Sequence, residues 1–247
     1  MLARRVFLAG ILAGLVAGAF VTFVQAVKIW PLIAAAEIFE KAGETATAAT
    51  SGGHPAHAHA MPAAHDHSMP AAAVEWEPAD GTQRILFTLA ANILIAVGFG
   101  LLLSAGFALR DAYGGVPADA RSGLCWGMAG FVAFQFAPAF GLAPEPPGAI
   151  AAELLARQSW WAATALATAS GIALIVFVER PLGKLIGGAL IVAPHIVGAP
   201  HPAEIGGGVP AELAAQFVAA SLVTAALFWL VLGGFGGWVY GRLARPA

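Results

Sequence analysis

The sequence predicts an all-α integral membrane protein with five to six transmembrane helices, six favoured, cytoplasmic N- and C-termini and a disordered His-rich outer loop. Three observations set this class. Of 247 residues, 59% are apolar and only 11% are charged, against roughly a quarter charged in a soluble domain. Six long stretches contain no Asp, Glu, Lys or Arg, each near the ~20 residues that cross a bilayer core. The remaining Lys and Arg sort by side. The chain reads as a single membrane domain, 1–247, with a His/Met/Ala/Pro-rich outer loop over 46–73.

The first stretch, Val6 to Val27, follows Arg4-Arg5 and precedes small residues at Ala34-Ala35-Ala36, as a signal peptide would. Its apolar run is longer than a signal core, and Gly10, Gly14 and Gly18 recur every fourth residue, a spacing that lets helices pack closely. It is read as a span. The second is Ile85 to Leu109, and the third, Ser122 to Pro144, opens on Gly123-xxx-Gly127. The fourth runs from Gln158 to Val178, with Trp160-Trp161 suited to the interfacial aromatic belt. The fifth, Leu185 to Ala203, carries Pro194, Gly198 and Pro200 and reads as a broken helix opening outward, or else as a re-entrant segment. The sixth, Leu213 to Gly241, repeats the glycine device at Gly233, Gly237 and Gly241.

Six spans with a cytoplasmic N-terminus put Arg4, Arg5, Arg110, Arg121, Arg180, Lys184, Arg242 and Arg245 inside. Only Lys28, Lys41, Arg84 and Arg157 fall outside, as the positive-inside rule requires. A five-span count separates Arg180 and Lys184 from Arg242 and Arg245, so six is favoured. The expected location is the inner (plasma) membrane, with lipid around the chain.

Several classes drop out. A net charge of −2 without a Lys/Arg-rich patch argues against nucleic acid. The single cysteine, Cys125, removes disulfide, zinc-ribbon and iron–sulfur chemistry. Gly183-Lys184 lacks the glycine spacing of a phosphate loop, and neither GxSxG nor HExxH occurs. No enzymatic activity and no tightly bound cofactor are expected. A haem subunit needs axial ligands at membrane depth, where only His195 is available.

Metal chemistry concentrates in the first outer loop. It holds His54, His57, His59, His65 and His67, five of the 7 histidines. Within it, His57-Ala-His-Ala-Met-Pro-Ala-Ala is followed by His65-Asp-His-Ser-Met-Pro-Ala-Ala. Imidazoles that are mostly neutral at pH 7 bind divalent cobalt, nickel, copper or zinc, with Met61, Met69 and Asp66 as further ligands. Thioethers pull toward monovalent copper. A copper- or nickel-binding membrane protein that sequesters or senses metal is therefore the second reading.

At membrane depth there is no mid-span Asp or Glu, only Gln25, Asn92, Gln135 and His195. Asn and Gln there more often bond between helices than bind substrate. His195 beside Pro194, with His201 further on, is a candidate cation stopover. Glu37, Glu40 and Glu145 are further outer-face acids; Glu145 can also pair with Arg157 as a structural lock. The candidate ion path is His195, His201, Glu145, Glu37 and Gln135.

The outer-face motifs Trp76-Glu-Pro78, Pro144-Glu145-Pro-Pro147-Gly148, Arg157-Gln158-Ser-Trp160-Trp161 and Pro194-His195-xx-Gly198-Ala-Pro200-His201 resemble those of the CbtA-type predicted cobalt transporter subunit family. The likeness runs over nearly the whole chain. It implies a membrane subunit for cobalt uptake that works with a small one-span CbtB-type partner and supports cobalamin synthesis.

Overall fold

The computed structural model describes residues 2–51, 78–79, 81–202 and 207–244. Its regular elements are helices: α1 (Leu2–Lys28), α2 (Trp30–Ser51), α3 (Thr82–Ala112), α4 (Ala120–Phe131), a π-helical turn (Val132–Phe136), α5 (Ala137–Ala139), α6 (Leu154–Phe177), α7 (Pro181–Val197) and α8 (Ala211–Ala244). Four of them, α1, α3, α6 and α8, are long and apolar enough to cross a membrane. The helical path from Ala120 through the π turn to Ala139 is unbroken and spans about 30 Å at 1.5 Å per residue.

Local sequence explains where the helices start and stop. Asp119 and Ser122 form a reciprocal cap on α4: the Ser122 N–H donates to the Asp119 carboxylate at 2.8 Å, and the Asp119 N–H donates to Ser122 Oγ at 2.9 Å. Glu153 caps α6 by accepting the Leu155 and Ala156 N–H groups at 2.8 and 2.7 Å. Those two bonds hold its carboxyl below the usual carboxylate range. The helix α7 opens with Pro181 in its first turn, where no N–H is needed, and ends at Gly198 with φ 86°.

Pro194 does not break α7, contrary to the reading from sequence. The helix continues through Pro194 and His195 to Val197, and the chain leaves it at Gly198, so the regular part of Leu185 to Ala203 stops six residues early. A proline removes the hydrogen bond to the carbonyl four residues back and crowds that carbonyl, which can kink a helix without ending it. One missing bond near a helix end is cheaper than an early exit from a packed face.

Tertiary packing runs through glycine seams. Across α1 and α3, a Cβ at Gly10 would fall 2.8 Å from Leu101 Cα, and one at Gly18 would fall 2.6 Å from Ile93 Cα. Across α4 and α8, the glycines Gly123, Gly127, Gly233 and Gly237 meet the opposing backbone directly. Gly171 and Gly187 do the same between α6 and α7. The paired numbers run in opposite directions in every seam, so neighbouring helices are antiparallel. The helix α8 also packs along α1, with Gly236 beside Ala13, and is the central member.

Aromatic side chains fill the space that small residues leave. Trp229 on α8 is buried, stacks on Phe134 at 5.6 Å between ring centres and meets Phe99 of α3 at 4.8 Å. Phe107 joins Trp126 and Tyr240 nearer the end of the bundle that holds the termini. Exposed Leu94, Ile95 and Leu102 line the outside of α3, as suits a helix whose free face meets lipid.

A Cβ at Gly127 would strike the Trp229 carbonyl, whereas one at Gly98 meets nothing within 4 Å. Gly127→Ala should therefore lower stability in detergent by ~1–3 kcal/mol, the usual cost of overpacking. Gly98→Ala should leave it unchanged or raise it by up to ~1 kcal/mol, because alanine loses less backbone entropy than glycine in a helix. Thermal unfolding followed by size-exclusion chromatography checks the contrast.

Candidate functional site

The antiparallel arrangement gathers the ends of α1, α3, α5, α6, α7 and α8 that lie away from the chain termini. At this distal end the loops tie together. Ala149 and Gly207 form an antiparallel bridge, Gly148 lies against Glu40, and Gly208 lies against the Phe39 carbonyl. Two clefts open there.

The first, about 360 Å³, is lined by Gln135 of the π turn, Pro138, Leu142 and Glu145 on one side and by Arg157, Gln158 and Trp161 of α6 on the other. Arg157 Nη2 lies 2.9 Å from Glu145 Oε2, each side chain about one-third exposed at 31% and 33%. A pair this wet contributes ~0–1 kcal/mol. The π turn is where Gln135 enters the cleft. The Ala137 N–H donates to Val132, five residues back, and Pro138 has no N–H. The Ala133 carbonyl thus receives a proton in neither the α nor the π register.

The second cleft, about 450 Å³, lies where α1 passes into α2 and is lined by Gln25, Trp30, Ile33, Glu37, Arg84 and Thr88. Arg84 Nη2 donates to Glu37 Oε1 at 3.0 Å. Beneath it, the Asn92 amide donates to Thr22 Oγ1 at 2.9 Å and to Gln25 Oε1 at 2.7 Å. Thr22 in turn donates to the Gly18 carbonyl at 2.8 Å. Gln25 and Asn92 thus bond between helices, as expected of amides at this depth.

The candidate path residues separate into three places. Gln135 and Glu145 share the first cleft, and Glu37 belongs to the second. His195 is half-buried and packs edge-on against Phe140 and Trp160, with ring centres 6.1 and 5.9 Å away. Trp160 is buried and donates its indole N–H to the Pro194 carbonyl at 3.2 Å, which locks α6 to the end of α7. His201 is exposed beyond the end of that helix. His54, His57, His59, His65, His67, Met61, Met69 and Asp66 lie outside the described residues. Among the described residues, no three His, Cys, Asp or Glu side chains group to hold a metal ion. The Glu145–Arg157 pairing matches the lock that the sequence allowed. The Arg84–Glu37 pair and the role of Thr22 carried no sequence signal, because Arg84 and Glu37 are separated by the whole His-rich loop.

A family model described as the probable cobalt transporter subunit, CbtA, matches residues 3–241. The chain belongs to the CbtA family. No curated protein and no solved structure is similar enough to match it. The CbtA match covers every helix from α1 to α8, including both distal clefts, so these features belong to a multi-pass cobalt transporter subunit rather than to an appended domain.

Replacing Asn92 with Leu removes both interhelical bonds of the α1–α3 network. Stability should fall by ~0.6–1.7 kcal/mol, the range measured for such bonds between membrane helices. Unfolding of the purified variant in detergent measures this.

Proposed function

We propose that this chain is the membrane subunit of a Co²⁺ uptake transporter that collects the ion on the outer side through its His-rich loop and passes it into the distal clefts. The observation that carries the reading is the gathering of polar side chains at the end of the bundle away from the termini. Arg4, Arg5, Arg110, Arg121, Arg180, Lys184 and Arg242 lie toward the opposite end, and the positive-inside rule makes that end cytoplasmic. The distal end then faces outward, toward the metal source.

Six spans follow if the helix from Ala120 to Ala139 and the 17-residue α7 cross as well; at 1.5 Å per residue they reach about 30 and 25 Å. Both termini are then cytoplasmic, in the inner (plasma) membrane. The His-x-His repeats act as a tether that raises local ion concentration, and His201 and His195 offer imidazoles at the outer end of α7. A small one-span CbtB-type subunit is the expected partner, and cobalamin synthesis the expected use of the metal.

Within the alternative, a copper- or nickel-sequestering protein, Met61 and Met69 favour copper, because thioethers select its soft monovalent ion. Radioactive cobalt and copper uptake separates the two readings. With all five loop histidines replaced by Ala, cobalt uptake should fall several-fold when metal is scarce and stay near wild type when it is abundant. Equal loss at both concentrations would remove the role of concentrator. His195→Ala should depress uptake at every concentration, and normal uptake would take it off the path.

A further inference from the structure

We infer that Glu145 and Arg157 form an exchangeable lock on a divalent-cation site in the first cleft. The incoming ion takes the Glu145 carboxylate from Arg157, and the side-chain oxygens of Gln135 and Gln158 help replace its water. This assignment rests on the reading that the distal end takes in cobalt and adds to it a site, a competitor and a basis for selectivity.

The lining supports it. Among the described residues Glu145 is the single carboxylate of the cleft, Gln135 and Gln158 are its neutral acceptors, and Pro138, Leu142, Pro144, Leu154 and Trp161 make the remaining walls largely apolar. Such walls strengthen any charge interaction inside. Both members of the pair keep about a third of their surface in water, so the pair can open without unfolding anything. About 360 Å³ accommodates an ion with part of its hydration shell.

Charge decides which ions can turn the lock. While paired, Glu145 and Arg157 cancel, and the cleft attracts no cation. A monovalent ion offers one charge for one and gains little over the guanidinium nitrogen already in place. A divalent ion brings twice the charge to a contact of about 2 Å, against 2.9 Å for the guanidinium nitrogen. Coulomb attraction grows with charge and falls with distance, so a divalent ion that keeps part of its water competes with Arg157 better than a monovalent one. Arg157 also remains tethered beside the site at high effective concentration. It competes for Glu145 again, and the ion is bound weakly enough to move on, as conduction through a membrane requires.

The test uses the full chain in detergent with the five loop histidines, His195 and His201 replaced by Ala, so that equilibrium dialysis against radioactive cobalt reads the cleft. Arg157→Gln should tighten Co²⁺ binding up to about fivefold by removing the tethered competitor, the most that so exposed a pair allows, and added guanidinium ion should reverse the gain. Glu145→Gln should abolish the binding, alone and combined with Arg157→Gln. If Arg157→Gln does not fold, Arg157→Lys carries the test with an expected gain of about twofold, because the ammonium is more strongly hydrated than guanidinium and competes less well for the carboxylate. A folded Arg157→Gln or Arg157→Lys variant that binds cobalt no tighter than the parent would overturn the lock and leave the pair a structural strut. Vesicle uptake is read separately: tighter binding without accumulation leaves the lock standing and removes transport, and accumulation with unchanged binding does the reverse.

Discussion

The contact on which the rest of the structure depends is the backbone-to-backbone approach of α4 and α8 through Gly123, Gly127, Gly233 and Gly237. Lipid tails are as apolar as leucine, so no hydrophobic force drives one membrane helix onto another, and close van der Waals packing has to supply the association. The glycines let α8 lie directly against α4 on one side, while its other side takes α1. From that centre α1 holds α3 through a second glycine seam, and the extension of α4 through the π turn reaches α6, which holds α7 through a third. Trp229 fills the volume that the glycines leave and fixes the relative heights of α3, α8 and the π turn.

Those heights set the composition of the distal end. Gln135 shares a cleft with Gln158 and Arg157 because the π turn adds a residue to the helical path from Ala120 to Ala139 just before Pro138. Glu37 meets Arg84 because α1 runs on into α2 past the start of α3. In both clefts a carboxylate is paired with an arginine.

Much of this was legible in the sequence, and the residues show why. Glycines spaced by four announce helix contacts because the spacing keeps them on one face, and each predicted seam is present. Gln25 and Asn92 were readable as interhelical donors and acceptors because an amide at membrane depth has few other partners. The π turn was not readable. It depends on how Pro138 and the aromatic packing around Phe134 divide one surplus residue, and no local periodicity records that division. Pro194 misled because the last turn of α7 is held from outside, by the Trp160 N–H on the Pro194 carbonyl, and Gly198, free to adopt φ 86°, sets the actual exit. The Arg84–Glu37 pair was hidden by sequence distance. The His-rich loop was read from composition and lies outside the described residues.

The central claim is that this CbtA-family chain moves cobalt rather than holding it. Sealed vesicles containing the chain, with a small one-span partner included or left out, test it most directly through the time course of radioactive cobalt accumulation. The account predicts that cobalt enters the lumen, is lost when the bilayer is permeabilised and survives a chelator added outside. Cobalt that the outside chelator removes completely would mean binding without passage, and would contradict it.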